Sequence, residues 1–340
     1  MKKITISLLL TIGLFATLHA QVQQSTNEDI LKPRIRVIID NDFGGDPDGL
    51  FHLAHQILSP STEIRGIIGS FIKGFFEEPT TASSACNEAN ALLKVMDLEH
   101  KFPVHEGANA GLVDLKTPQV SAGTMAIIKE AMREDTQLPL YVLCGAGLTD
   151  IASAYLIEPL IAKRLTLIWI GGPEYPDLAV PPPGNPSSEY NTGIDIKAAQ
   201  VIFNRSDIPI WQVPRNTYRQ ALVSYAELLT KVKPQGALGE YLTNKIEFVM
   251  RLAVKHNFSI GEVYDMGDSP MVMLTALKSG FNADPSSSGY ILKPAPAMND
   301  KGEYEPTTSA RMIRVYTGID VRLMFDDFYA KLRLFQDENK

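Results

Sequence analysis

Cysteine is nearly missing from this chain: Cys86 and Cys144 are the only two in 340 residues. Two are too few for a disulfide framework, so the fold must rest on an apolar core. Cys86 sits at helical spacing and Cys144 ends an apolar run, which reads as packing; the sequence leaves a bridge between them open. Positive charge is also scarce. The net charge of −7 argues against a polyanionic partner such as nucleic acid, which calls for a basic footprint. Beyond the first twenty residues no apolar run is long enough to span a bilayer, and there is no internal repeat or Ser/Gly-rich linker. His52, His55 and His105 lack partners at ligand spacing and read as structural. Trp169 and Trp211 lie in apolar strands and read as core.

The first twenty residues stand apart. Lys2 and Lys3 precede an apolar segment over 4–16, and Leu18-His19-Ala20 offers a small residue at a cut. That is the pattern of a secretory signal removed after Ala20, so the mature protein is expected to be exported, periplasmic or secreted. No cysteine follows the cut, which argues against a lipid anchor. Residues 21–33 read as a linker. Residues 34–340 read as a single domain, a size α/β folds reach as one unit.

What is abundant is acid, in one place. The β-branched run Ile35, Val37, Ile38, Ile39 reads as a buried strand. Asp40, Asp42, Asp46 and Asp48 follow, interrupted by Gly44 and Gly45. From Leu50 the period becomes helical through Ala54, Ile57 and Leu58, with Pro47 suited to the first turn. Acids crowded at a strand end repel one another unless a cation sits among them, and a hard divalent cation prefers oxygen ligands. The bland alternative is a solvated acidic turn whose Asp46 and Asp48 merely cap the helix.

Strands are expected over 64–70, 103–105, 140–144, 165–170 and 208–213, with helical spacing between them. This alternation predicts an α/β fold: a doubly wound, mostly parallel sheet with helices on both faces. Such sheets bind ligands beyond the carboxyl ends of their strands, where Asp40, Asp42, Ser70, Thr149 and Gly171 fall. A Pro-rich loop over 173–188 precedes Glu189-Tyr190-Asn191, and Asp195 is placed to cap the next helix. Helices are expected over 221–230, 238–255, 271–277 and 320–334, with a late strand over 312–316.

Taken in order, Asp40-Asn41-Asp42-Phe43-Gly44 with Asp46 and Asp48, Leu148-Thr149-Asp150, Gly171-Gly172, Glu189-Tyr190-Asn191 with Asp195, and Asp268-Ser269-Pro270 resemble the nucleoside hydrolase family, the inosine–uridine-preferring type and its relatives. The likeness runs over nearly the whole mature chain. It implies a Rossmann-like hydrolase that cleaves the N-glycosidic bond of a ribonucleoside with a bound Ca²⁺. By resemblance Asp42 would ligate the ion and take a proton from the attacking water. Asp46 or Asp48, the Thr149 carbonyl and Asp268 would complete the ligands. Glu189, Asn191 and Asp48 would hold the substrate, and Asp40 would orient a ligand from behind. The partner is then a small nucleoside, and assembly into a homo-oligomer is compatible with the family. The residue types suit this chemistry independently, since carboxylates near the sugar stabilise an oxocarbenium-like state.

The chain departs from the family pattern where Gly49 (counting back from the helix) or Pro47 (counting forward from Asp42) takes the place of a second adjacent acid, where Ser70 replaces an asparagine, and where Gly267 replaces a histidine that protonates departing purines. Tyr264 or a residue of the Pro-rich loop is the expected stand-in. Two competitors follow: a weakened relative that binds a nucleoside or sugar without turnover, and a haloacid-dehalogenase-type phosphatase using Asp40-x-Asp42. Gly44 stands where the latter wants Thr or Val. An EF-hand reading fails, because a strand precedes the loop and no glutamate closes it.

Overall fold

Strand β1 (Ile35–Asn41) holds the centre of the molecule because all seven of its residues are buried. Its side chains alternate across the sheet: Val37 and Ile39 enter one apolar cluster, Ile38 the other. Burying each such side chain contributes about 1.5–3 kcal/mol, so β1 anchors both layers. The computed structural model describes residues 30–72, 81–183, 188–281, 286–308 and 310–338. The expected signal segment, most of the expected linker, and parts of the stretch after β1's neighbouring strand (73–80) and of the Pro-rich loop (184–187) lie outside them.

The further strands are β2 (Thr62–Gly69), β3 (Val104–Glu106), β4 (Leu140–Cys144), β5 (Leu165–Ile170), β6 (Ile210–Val213), β7 (Leu222–Ser224), β8 (Val263–Asp265), β9 (Gly289–Pro294), β10 (Ala297–Met298), β11 (Tyr304–Glu305) and β12 (Met312–Gly318). The main sheet runs β3-β2-β1-β4-β5-β6-β12-β9. Every neighbouring pair in it is parallel except β12 with β9. The order reverses at β1, with β2 on one side and β4 on the other. A crevice therefore opens beyond their carboxyl ends.

The longer helices are α1 (Asp48–Ile57), α2 (Ala82–Val95), α3 (Ala122–Ala131), α4 (Thr149–Ile157), α5 (Ile196–Arg205), α6 (Gly236–Lys255) and α7 (Val321–Glu338). Capping follows the sequence signals: Asp195 accepts from the Ala198 amide at 3.0 Å, starting α5 as expected. No helix among the described residues is long and apolar enough to cross a membrane. Cys86 and Cys144 are buried free thiols.

Three expectations need correction. The helix expected over 221–230 begins instead as β7, because antiparallel pairing of Leu222 with Asp265 and Ser224 with Val263 overrides helical spacing. The helix expected over 271–277 is confined to Pro270–Met273. Trp211 is half-buried, not core: the Arg314 guanidinium lies 4.2 Å and the Lys278 ammonium 4.8 Å from its ring centre.

Candidate active site

The acidic loop leaves β1 where the strand order reverses, and it is pinned on both sides of its turn. Phe43 and Leu50 are buried, and α1 begins at Asp48 with no side-chain cap. The Gly45 amide donates to the Asp42 carbonyl at 2.7 Å. A Cβ at Gly45 would lie 2.8 Å from Ile72 Cδ1 and 3.3 Å from the Asp42 carbonyl, so the turn is packed closely here. Asp42, Asp46 and Asp48 thereby line a cavity of about 590 Å³. Asp265 and Asp268 face it from β8 and the turn beyond, and Glu189 and Asn191 from another side. Phe248 and Leu252 of α6, with Phe258 and Ile260, add an apolar wall.

Asn41 ties the two acidic segments together. Its Nδ2 donates to Asp268 Oδ2 at 2.7 Å, and its Oδ1 accepts from the Asp42 amide at 2.8 Å. The Asp268 amide in turn donates to Asp48 Oδ2 at 3.0 Å. Space for this tie comes from two glycines. A Cβ on Gly49 would lie 3.0 Å from Asn41 Oδ1, and one on Gly145 2.5 Å from both Asn41 Nδ2 and Asp268 Oδ1. The position read as a missing acid is therefore where the Asn41 amide packs.

Lys245, the cation among the lining residues, is paired with Glu88 and not with the aspartates of the loop. Burial, then the charge of Asp46, raises the Asp42 carboxyl to about 8. Asp48 and Asp268 are raised well above the usual carboxylate range, first by burial and then by Asp268 and Asp42 respectively. Among the described residues none of these three acids takes part in an ion pair. Buried like charges with oxygen donors alone fit a hard divalent cation in kind. As the side chains stand, no three acid, histidine or cysteine side chains among the described residues converge closely enough to hold an ion.

The other expected residues fall as follows. Asp40 is wholly buried and accepts from Ser70, with Oδ2 unpartnered, so it does not face the cavity and cannot serve as a phosphatase-type nucleophile. Asp46 is exposed at the loop and accepts from the Tyr264 hydroxyl at 2.8 Å. Thr149 opens α4, but its hydroxyl donates to Asp195 at 2.8 Å and it lines a separate small void beside Ser70 and Asp150. Glu189 lines the main cavity, yet both its oxygens are engaged. They accept from the amides of Gly172, Asn191 and Thr192 and the hydroxyls of Thr192 and Tyr218. That capping presents Asn191, whose Nδ2 donates to the Ile170 carbonyl at 2.8 Å and the Gly145 carbonyl at 3.2 Å. Its Oδ1 is left as the acceptor for a ligand.

Sequence reasoning missed Asn41, Asp265, Tyr218 and the apolar wall. Asn41, set between two acids, was the one readable signal; the rest depend on tertiary placement. A model of the family described as inosine-uridine preferring nucleoside hydrolase matches residues 37–321. No match of significance is found among curated proteins. Among solved structures, the chain is similar to a plant nucleoside hydrolase, at 19% identity and a TM-score of 0.68, covering 88% of this chain and 99% of that one. It is similar to a purine-preferring ribonucleoside hydrolase from Gardnerella vaginalis, at 16% identity and a TM-score of 0.63, covering 89% and 99%. It also resembles a type III effector protein complexed with adenosine diphosphate ribose, at 13% identity and a TM-score of 0.60, covering 90% and 95%.

Proposed function

The chain belongs to the inosine-uridine preferring nucleoside hydrolase family, and from that premise we propose that its cavity hydrolyses the N-glycosidic bond of a ribonucleoside with calcium as its metal. Membership makes it a hydrolase acting on N-glycosyl bonds. The observation that carries the finer reading is the set of buried, unpaired carboxylates Asp42, Asp48 and Asp268 on one cavity. These three would hold the ion once drawn together around it, since as they stand they do not converge closely enough. When bound there, calcium supplies a water of lowered pKa and orients the sugar hydroxyls.

The chain's own residues do the rest. Asp42 accepts the proton from the attacking water, a step worth roughly 10²–10⁴ in rate. Asn41 holds Asp268 and the Asp42 backbone in register. Asn191 offers its Oδ1 to a ribose hydroxyl, and Glu189 fixes Asn191 and adds negative charge near the ring where positive charge develops. Phe248 and Phe258, both more than half exposed, give a planar base an apolar surface to lie against.

A second reading has its own support. Gly49 supplies no carboxylate, and Asp268 Oδ2 is already bonded by Asn41, which suits a relative that binds a nucleoside without cleaving it. Incubating the protein with inosine, uridine and p-nitrophenyl riboside, with and without EDTA, decides between them. Release of reducing sugar that EDTA abolishes and calcium restores is the expected result. Calcium binding without release supports the second reading instead.

A further inference from the structure

We propose that Asp265 is the acid that protonates the departing base. The proposal rests on the nucleosidase reading, since only a glycosidic cleavage has a base to protonate. Asp265 ends β8 and lines the same cavity as Asp42 and Asp268. Its Oδ1 is buried with no hydrogen-bond partner. A neutral carboxyl tolerates that situation far better than a carboxylate does. Beside it Gly267 contributes no side chain: a Cβ there would lie 3.7 Å from Asp265 Oδ1 and 3.4 Å from Asp48 Oδ2. Asp265 is thus the acid set next to an open position on the wall that also carries Asp48.

The groups facing it explain its protonation. Burial, then Asp46, raises its carboxyl to about 7, and Arg219 opposes them. Asp48 and Asp268 feel its charge in return. Tyr264 and Tyr218 stand on the same wall but are poor alternatives. The Tyr264 hydroxyl donates to Asp46 and the Tyr218 hydroxyl to Glu189, and burial pushes both phenols upward, away from neutral pH.

The step balances. Water oxygen bonds to the anomeric carbon as Asp42 takes its proton. The C–N bond breaks with its electron pair going to the base, and a base nitrogen takes the Asp265 proton. The products are free sugar and neutral base, and solvent returns the proton from Asp42 to Asp265. Acid assistance matters for a poor leaving group and hardly at all for nitrophenolate.

The test is the ratio of inosine to p-nitrophenyl riboside turnover in wild type, Asp265→Asn and Asp265→Ala, with a pH profile on inosine. A ratio does not depend on how much of a variant folds. We expect it to fall roughly 10²-fold in both variants. The wild-type rate on inosine should decline above about pH 7, a decline the variants lack. An unchanged ratio overturns the role of Asp265 while leaving the nucleosidase standing. Wild-type protein that cleaves neither compound overturns the nucleosidase reading and this acid with it.

Discussion

The two ends of β1 handle charge in opposite ways. At its start Arg36 is buried, and its guanidinium donates to the Glu130 carboxylate and to the carbonyls of Glu130 and Leu138. Arg65 and Arg133 reach the same carboxylate. At the other end the strand delivers Asp42 into a cavity shared with Asp48, Asp265 and Asp268, and Lys245, the cation among the lining residues, is taken up by Glu88. One end uses its charges on each other and holds the sheet together. The other leaves Asp42, Asp48 and Asp268 without an ion-pair partner among the described residues, and buried acids without a counter-charge are a demand on something from outside.

Two substitutions test that contrast most severely. Asp42→Asn should lower turnover by roughly 10²–10⁴ while leaving the melting temperature of chelated protein unchanged or higher, because it removes a carboxyl that burial makes costly to ionise and holds protonated up to about pH 8. Glu130→Gln should do the reverse. Stripping one partner from a buried pair strands Arg36 and costs about 3–5 kcal/mol of stability, read by denaturant titration. The fraction that folds should turn over substrate at the wild-type rate. If Asp42→Asn proved the more destabilising of the two, the division between a stabilising end and a functional end would be lost.

How much of this was legible beforehand follows from where each feature is encoded. The alternation of Val37, Ile38 and Ile39, and the acids directly after them, are local, so the sheet and its acidic loop could be read directly. That Glu189 stands beside the cavity was expected from its place after the Pro-rich loop, but not that its oxygens would be consumed in capping. That role depends on Gly172 and Tyr218 arriving from other elements. Gly49 looked like a deletion of chemistry. Only the fold shows that it makes room for the Asn41 amide, whose partner Asp268 comes from the far end of the chain. Likewise the β7–β8 pairing that sets Asp265 on the cavity wall leaves no periodic trace, because each strand has only three residues.

The smallest expected effect isolates the functional end by its pH dependence. In chelated protein the Asp42 carboxyl sits at about 8 when folded, against about 3.9 for an ordinary aspartate. The folded state then binds more protons than the unfolded one between these values. Its contribution to stability is complete below about pH 4 and is lost as pH rises through about 8. Buried His52 and His55 act with the opposite sign. Burial lowers them to about 3 and about 4, so their contribution is present above about 6.5 and lost only as pH falls. Between pH 6.5 and 8 the histidines are therefore nearly silent, and the stability of chelated wild type should decline by at most about 1.4 kcal/mol per pH unit for this group. Asp42→Asn should make that slope shallower, the raised Asp48, Asp265 and Asp268 keeping their own share of it, and added calcium should make it shallower in wild type, because an ion among the acids does the work otherwise done by their protons. A slope of the same steepness in the variant, measured by melts across this range, would show that the raised aspartate is not its source.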